Sequence, residues 1–273
     1  MDTLKIQADK FFQLHHQKTP FIIPNPWDVG TAHLLSQMGF KALATTSAGC
    51  AFFAGKKDNT LGREAILANA QVIVAATDLP VSADLENGFG DSADAVAETI
   101  QRAIQIGLVG GSIEDADNYA DSPIYTIAHA ADRIAAAASV IKSSGIPFVL
   151  TARAENYLLG RQDIKDTIER LQAYQEAGAD VLYAPGITRR EDIASIISAI
   201  DKPLNVVMGL AGANFTLNDL SDLGVKRVST GSAMARAALG AFLSAAEEMR
   251  EQGSFEFAQQ AINYGDISAQ LKD

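Results

Sequence analysis

A single cysteine and four histidines are all that 273 residues hold of the side chains used for disulfides, thiolate metal sites and imidazole catalysis. With Cys50 alone, neither a disulfide framework nor a multi-cysteine metal site can form, which suits a reducing compartment. Basic runs are missing too. Lys and Arg number 22 against 33 Asp and Glu, giving a net charge of −11, and no cationic cluster of the kind a phosphate backbone requires appears, so no nucleic-acid partner is expected. No apolar run reaches bilayer-spanning length, which excludes a membrane partner of the helical kind. The opening MDTLKIQADKFFQLHH is amphipathic with mixed charge and lacks the basic flank and apolar core of a signal peptide, so a cytoplasmic location is the expectation. Also absent is a GxGxxG turn after the first apolar run, where PNPWDVG stands instead, and this disfavours an open dinucleotide-binding sheet.

What is present is an ordinary soluble composition, 48% hydrophobic and 20% charged, arranged as one repeated unit of apolar strand, polar turn and amphipathic helix. Strands are expected at 21–23, 42–44, 81–83, 111–113, 148–150, 181–183, 204–207 and 227–229. The helices that follow them are expected near 29–38, 63–77, 93–104, 129–142, 164–176, 191–200, 217–223 and 233–250. Eight such units predict parallel pairing, right-handed crossovers and closure into a single (β/α)8 TIM-type barrel, with an open doubly wound sheet as the alternative. The expected organisation is one α/β-barrel domain: an N-terminal helix within 1–19, the barrel over 20–250 and a C-terminal helical extension over 251–273. The first helix is expected at 5–16, with His15 and His16 on its solvated side or at its end.

In such a barrel the chemistry belongs to the carboxyl ends of the strands. The polar residues there are Asn25, Trp27 and Asp28; Ser47, Gly49 and Asp58; Asp84 and Glu86; Glu114; Arg153 and Glu155; Asn205; and Ser232. Most telling are PVSADLENGFG and GGSIEDAD, two apolar runs that end in acids. Strand alternation would turn Asp84 and Glu86 to one side and Leu85 into packing. Converging carboxylates with Glu114 favour a small hard cation, Mg2+. In TTSAGCAFFAGKKD, read as a long connection, small side chains leave backbone N–H groups open to a substrate carboxylate and Ser47 adds a hydroxyl, while Cys50 reads as a small packed thiol. Arg153 follows PFVL and must be paired with Glu155, another strand-end acid or a bound carboxylate.

These motifs together, PNPWDVGTAHLLSQMGFKALATTSAG, Asp58, ADLENGFG, GGSIEDAD, TARAEN, QEAGAD and LNVVMG, resemble the isocitrate lyase/phosphoenolpyruvate mutase superfamily over residues 24–249. The resemblance implies an α/β barrel that binds Mg2+, with Mn2+ as a substitute, and acts as a homotetramer or dimer on a small carboxylate substrate, a 2-oxo or 2-hydroxy acid. It places Asp84 as direct metal ligand, with Glu86, Glu114 and Asp58 reaching the ion through water. Ser47, Ala48 and Gly49 fall on a carboxylate cradle; Trp27, Asp28, Arg153 and Asn205 fall on pocket positions. Asp58, Arg153 and Glu114 are the expected catalytic groups. The implied reaction is a Mg2+-dependent C–C cleavage through a stabilised enolate. The alternatives are a P–C mutase or hydrolase acting on phosphonopyruvate or phosphoenolpyruvate, and a catalytically silent oxo-acid-binding protein.

The chain departs from that pattern in two places. Where isocitrate and methylisocitrate lyases carry KKCGH, the segment here is DADNYADSPIYTIAHAADRI, with no Cys or Lys and only Asn118 as an echo of the mutase loop. Proton donors in its stead are Asp58, Tyr119, Tyr125 or water. Tyr183-Ala184-Pro185 stands where many relatives have a glutamate in the middle. Finally, the helix over 233–249 and the apolar set over 255–262 exceed what eight barrel helices need, which favours packing against a neighbouring subunit.

Overall fold

In the computed structural model, which describes residues 2–117 and 123–271, helix α1 (Asp2–Leu14) precedes an alternating series. That series runs β1 (Phe21–Ile23), α2 (Val29–Gln37), β2 (Leu43–Ala44), α3 (Ser47–Phe53), α4 (Gly62–Ala75), β3 (Val81–Asp84) and α5 (Ala93–Gln105). It continues with β4 (Gly110–Glu114), α6 (Ile127–Ser144), β5 (Val149–Arg153), α7 (Ile164–Glu176), β6 (Val181–Tyr183) and α8 (Arg190–Ala199). The last units are β7 (Leu204–Val207), α9 (Leu217–Leu223), β8 (Arg227–Ser229) and α10 (Ala233–Gln252), followed by a 3-10 turn (Glu256–Gln259) and α11 (Tyr264–Ala269). No described helix is long and apolar enough to cross a membrane.

All eight strands are parallel, in the order β1-β8-β7-β6-β5-β4-β3-β2, as the sequence predicts for a TIM-type barrel. Between β1 and β2 the seam is drawn together by the Ala44 amide donating to the Pro24 carbonyl at 3.0 Å. Asn25 staples the same seam. Its Nδ2 donates to the Thr45 carbonyl at 2.9 Å and its Oδ1 accepts from the Thr230 and Gly231 amides at 2.9 and 3.0 Å.

Alternation along the strands separates two cores. Outward residues such as Leu43, Val81, Ala83, Ile113, Leu150, Leu182, Leu204 and Val228 pack against the helices. Inward residues at the amino ends, Phe21, Val149 and Val181, form a second cluster with Ala8, Phe11 and Leu14 of α1, so that α1 closes the bottom of the barrel. Gly110 permits this: a Cβ there would lie 2.6 Å from the Phe11 ring.

Helix starts follow the sequence chemistry. Asp28 and Thr216 form capping boxes, Thr46, Ser92, Thr126 and Asp163 cap with their side chains, and Gly224 ends α9 in a left-handed conformation, φ 94°. Two local expectations are corrected. The connection after β2 contains a seven-residue helix, α3, nucleated by the Thr46 cap on the Gly49 amide at 3.1 Å. His15 and His16 lie just past the end of α1, as one half of the expectation had it, but His15 is not solvated: it is 2% exposed, edge-on to Phe11 and Phe21, while His16 is exposed.

Candidate active site

Above the α1 plug the barrel interior opens into a cavity of about 330 Å3 at the carboxyl ends of the strands. It exists because the inward residues at mid-height are small: Ala44, Ser82 and Ser112 leave room that branched side chains fill in a packed barrel. Asp58, Asp84, Glu114, Arg153, Glu155, Tyr183, Ser47, Ala48 and Asn205 line it.

Arg153, the last residue of β5, organises the upper wall. Its Nη1 lies 2.9 Å from Asp84 Oδ1, its Nη2 3.2 Å from Glu114 Oε2 and its Nε 2.8 Å from Glu155 Oε1. Its guanidinium also lies over the Tyr183 ring, 5.2 Å from the centroid. Register explains the meeting, since Glu114, Arg153 and Tyr183 are neighbours across β4, β5 and β6. Glu155 is set by Asp115, whose Oδ1 accepts the Glu155 amide at 2.8 Å. Asp115 is in turn held by Arg170 at 2.9 Å and the Tyr174 hydroxyl at 2.5 Å.

On the opposite wall, Asp84 Oδ2 accepts from the Ser47 hydroxyl at 2.9 Å and the Ser47 amide at 3.2 Å, and the same hydroxyl reaches Asp58 Oδ1 at 3.3 Å. The Gly49 amide is taken by the Thr46 cap. Ala48 therefore carries the first-turn N–H with no acceptor among the described residues. Gly49 itself is buried, and a Cβ there would crowd Thr46, Trp27 and Ala235.

One arginine serves too many acids. Burial, and then the charge of Asp84, raise the Asp58 carboxyl above the ordinary range. Burial followed by Asp84 and Asp58 pushes Glu86 up to about 8. Glu114 and Glu155 are also raised, by burial that the shared Arg153 only partly offsets. More carboxyls meet here than Arg153 can neutralise, so the site favours protons or a cation.

Glu86 departs from the expected alternation. β3 ends at Asp84, and the chain turns with Glu86 at φ 50° and Gly88 at φ 80°, the Gly88 amide donating to the Leu85 carbonyl at 2.8 Å. Leu85 is fully buried as predicted, but Glu86 faces a neighbouring cavity that shares Glu114 with the main one. Arg133 of α6 clamps this turn through the carbonyls of Asn87, Gly90 and Asp91, with its guanidinium 4.5 Å from the Tyr125 ring.

Three expected pocket residues are employed differently. Trp27 is buried beneath Gly49 and stacked on Phe53 at 4.9 Å, and Asp28 is committed to the α2 cap; neither lines the cavity. Asn205 lines it while bonded to Ser229 at 3.0 Å and Arg227 at 2.8 Å. Cys50 is half-buried, its thiol pushed up by burial and by Glu86, which matches a packed thiol and not an activated nucleophile. Tyr125 bonds Asn87 at 3.2 Å and does not line the cavity. Asn118 and Tyr119 lie outside the described residues.

Arg133, Arg170 and Arg227 carry none of the strand-end signals used above. Only the rule that an arginine within an apolar helix or strand must find partners could have marked them.

Among the described residues no three His, Cys, Asp or Glu side chains are placed to hold a metal directly. The donors fit a hard cation in a different form. Asp84 is central, its charge acts on Asp58, Glu86 and Glu114, and all four are carboxylates. That is the set for Mg2+ bound by one carboxylate and otherwise through water. Asp84 would share with the ion the oxygens that now accept from Arg153 and Ser47.

The chain resembles known proteins over most of its length. The profile of the family described as phosphoenolpyruvate phosphomutase matches residues 11–250. A solved structure from Burkholderia cenocepacia J2315, provisionally called a lyase/mutase, is 56% identical with a TM-score of 0.96, covering 98% of this chain and 96% of that one. An uncharacterised protein of Mycobacterium tuberculosis is 34% identical over 96% of both chains. The 2-methylisocitrate lyase of Escherichia coli is 28% identical over 75% of this chain and 71% of its own.

Proposed function

Because the chain belongs to the phosphoenolpyruvate phosphomutase family, within the isocitrate lyase/phosphoenolpyruvate mutase superfamily, we propose that it is a Mg2+-dependent lyase that cleaves a C–C bond in a small 2-oxo or 2-hydroxy acid. The observation that carries this is the cluster of Asp84, Glu114 and Glu155 around Arg153, facing the Ser47–Ala48 turn across one cavity. A substrate carboxylate is received by the Ala48 amide, and by the Ser47 hydroxyl once its single proton turns away from Asp84. Arg153 has five N–H donors and three ion pairs, so it retains donors for the oxygen on which charge gathers as the bond beside the carbonyl breaks. Asp84, with Asp58, Glu86 and Glu114 through water, would hold a divalent ion, which would supply further positive charge to the site. Tyr183 holds the guanidinium plane, and Asp58, which lines the cavity beside Ser47, is the group placed to exchange a proton with the departing fragment.

Asp84→Ala, assayed with Mg2+ against a panel of 2-oxo and 2-hydroxy acids, is expected to lose at least 100-fold in turnover, on the order of removing one charge-stabilising group. Undiminished turnover would overturn the reading. P–C chemistry is the second reading, favoured by the family match and by the lack of the KKCGH loop. Phosphate released from phosphonopyruvate, followed by phosphorus NMR, selects it. A silent binding protein would instead be stabilised against heat by oxalate or pyruvate with no turnover across the panel.

We further propose a homo-oligomer, a tetramer or dimer. Ala235 is the one fully buried residue of α10, whereas Phe242, Leu243, Phe255 and Ile262 are all more than half exposed on the same tail.

A further inference from the structure

Two arginines line the cavity from inside the barrel wall, and acids surround only one of them. Arg227, the first residue of β8, is 5% exposed and forms part of the same cavity wall as Arg153. Its partners are all neutral: Nε donates to Asn205 Oδ1 at 2.8 Å, Nη2 to Thr151 Oγ1 at 3.0 Å, and Nη1 faces His15 Nε2 at 3.4 Å. His15 Nδ1 lies 2.8 Å from the Phe11 carbonyl, so that nitrogen carries the proton and Nε2 is the acceptor. Burial lowers the guanidinium to about 10, and the charge of no carboxylate opposes it.

A buried cation without a counter-charge is uncommon, because desolvation is left unrepaid. Three of the five guanidinium N–H groups are engaged, which leaves two for a ligand. Ser112, in register with Thr151, and Ser82 line the same cavity and add hydroxyls. Thr151 precedes Arg153 by two residues, roughly 7 Å along β5, so Arg227 meets that strand on the amino-end side of Arg153.

We propose that Arg227 is an anion site on the cavity floor, separate from the Ser47–Ala48 turn and the Arg153 cluster, taking one carboxylate-sized anion. The anion is either a free small carboxylate or a second acid group at the far end of a substrate bound above. In the second case the site deepens the function proposed above and rests on it.

The test uses the full chain and the variants Arg227→Gln and Arg227→Lys. Sodium formate, titrated at constant ionic strength, is expected to raise the Tm of the wild type and of Arg227→Lys saturably, and not that of Arg227→Gln. Calorimetry then compares 2-oxoglutarate with 2-oxopentanoate, which differ in a distal carboxylate against a methyl, with oxalate as a probe too short to reach the floor. A preference of at least tenfold for 2-oxoglutarate that collapses in Arg227→Gln assigns the anion to the substrate. A saturable formate effect without that preference assigns it to a free anion. Either supports the site. Wild-type protein that binds oxalate but shows neither effect overturns it, while a formate effect without oxalate binding leaves the floor site standing and removes the function proposed above. Should Arg227→Gln fail to fold, Arg227→Lys decides: its ammonium lacks the planar fork, so its formate midpoint and 2-oxoglutarate preference are expected to be weakened several-fold, and values identical to wild type overturn the site.

Discussion

His15 ties acid stability to the floor of the barrel. Burial, with Arg227 adding to it, lowers its pKa from 6.5 to about 3, so the folded protein keeps the ring neutral where an unfolded chain would protonate it. A depressed folded pKa means that this contribution is complete above pH 6.5 and is lost as pH falls from 6.5 toward 3, at a cost on the order of 5 kcal/mol by the lower limit. His15→Gln is expected to narrow the difference in urea stability between pH 7 and pH 4 relative to wild type, even though losing the edge contacts with Phe11 and Phe21 lowers both values. An unchanged difference would show that the ring does not titrate on unfolding. The sequence did not disclose this residue. A His-His pair at a helix end looks like solvated surface, and His15 is instead enclosed by Phe11 and Phe21 and met by Arg227, 212 positions away.

At the scale of elements, the fit of α1 into the barrel depends on the missing side chain at Gly110. Gly110→Val would thrust its Cβ to 2.6 Å from the Phe11 ring, and overpacking of this kind costs about 1–3 kcal/mol. The expected result is a urea midpoint lowered by that amount together with faster proteolysis near α1; a variant as stable as wild type would show that α1 repacks freely. Most elements were legible because their periods are clean. β1, β6, β7, β8, α7 and α9 coincide with the spans read from alternation and helical spacing. α3 was not, because SAGCAFF is too short and too rich in small residues to show a helical face, although the Thr46 cap was there to be noticed. The turn after β3 was misread for a related reason. Alternation holds only while the strand continues, and Gly88, where a Cβ would come within 2.9 Å of Val96, ends it early enough to send Glu86 into the adjoining cavity.

For the whole molecule, the uncovered face of α10 carries the expectation of self-association. The pair Phe242→Glu and Leu243→Glu lies outside the cavity wall and is expected to reduce the mass seen by light scattering while the circular dichroism stays native. A wild type already monomeric would remove the oligomer from the proposal. The upper site was legible at this scale because barrel closure delivers every strand end to one rim: Asp84, Glu114 and Arg153, from three separate strands, meet as their positions implied. Trp27 and Asp28 sit at the same rim in sequence, yet a helix start and a packing role claim them first, and strand-end position alone does not separate these uses.

The stopper that α1 makes beneath the strands has a kinetic result. The barrel becomes a blind well, so whatever descends must climb back past the same lip. Under the proposed cleavage the two fragments would leave in a queue, the shallower first, and the deeper one would block the next arrival and act as a competitive inhibitor.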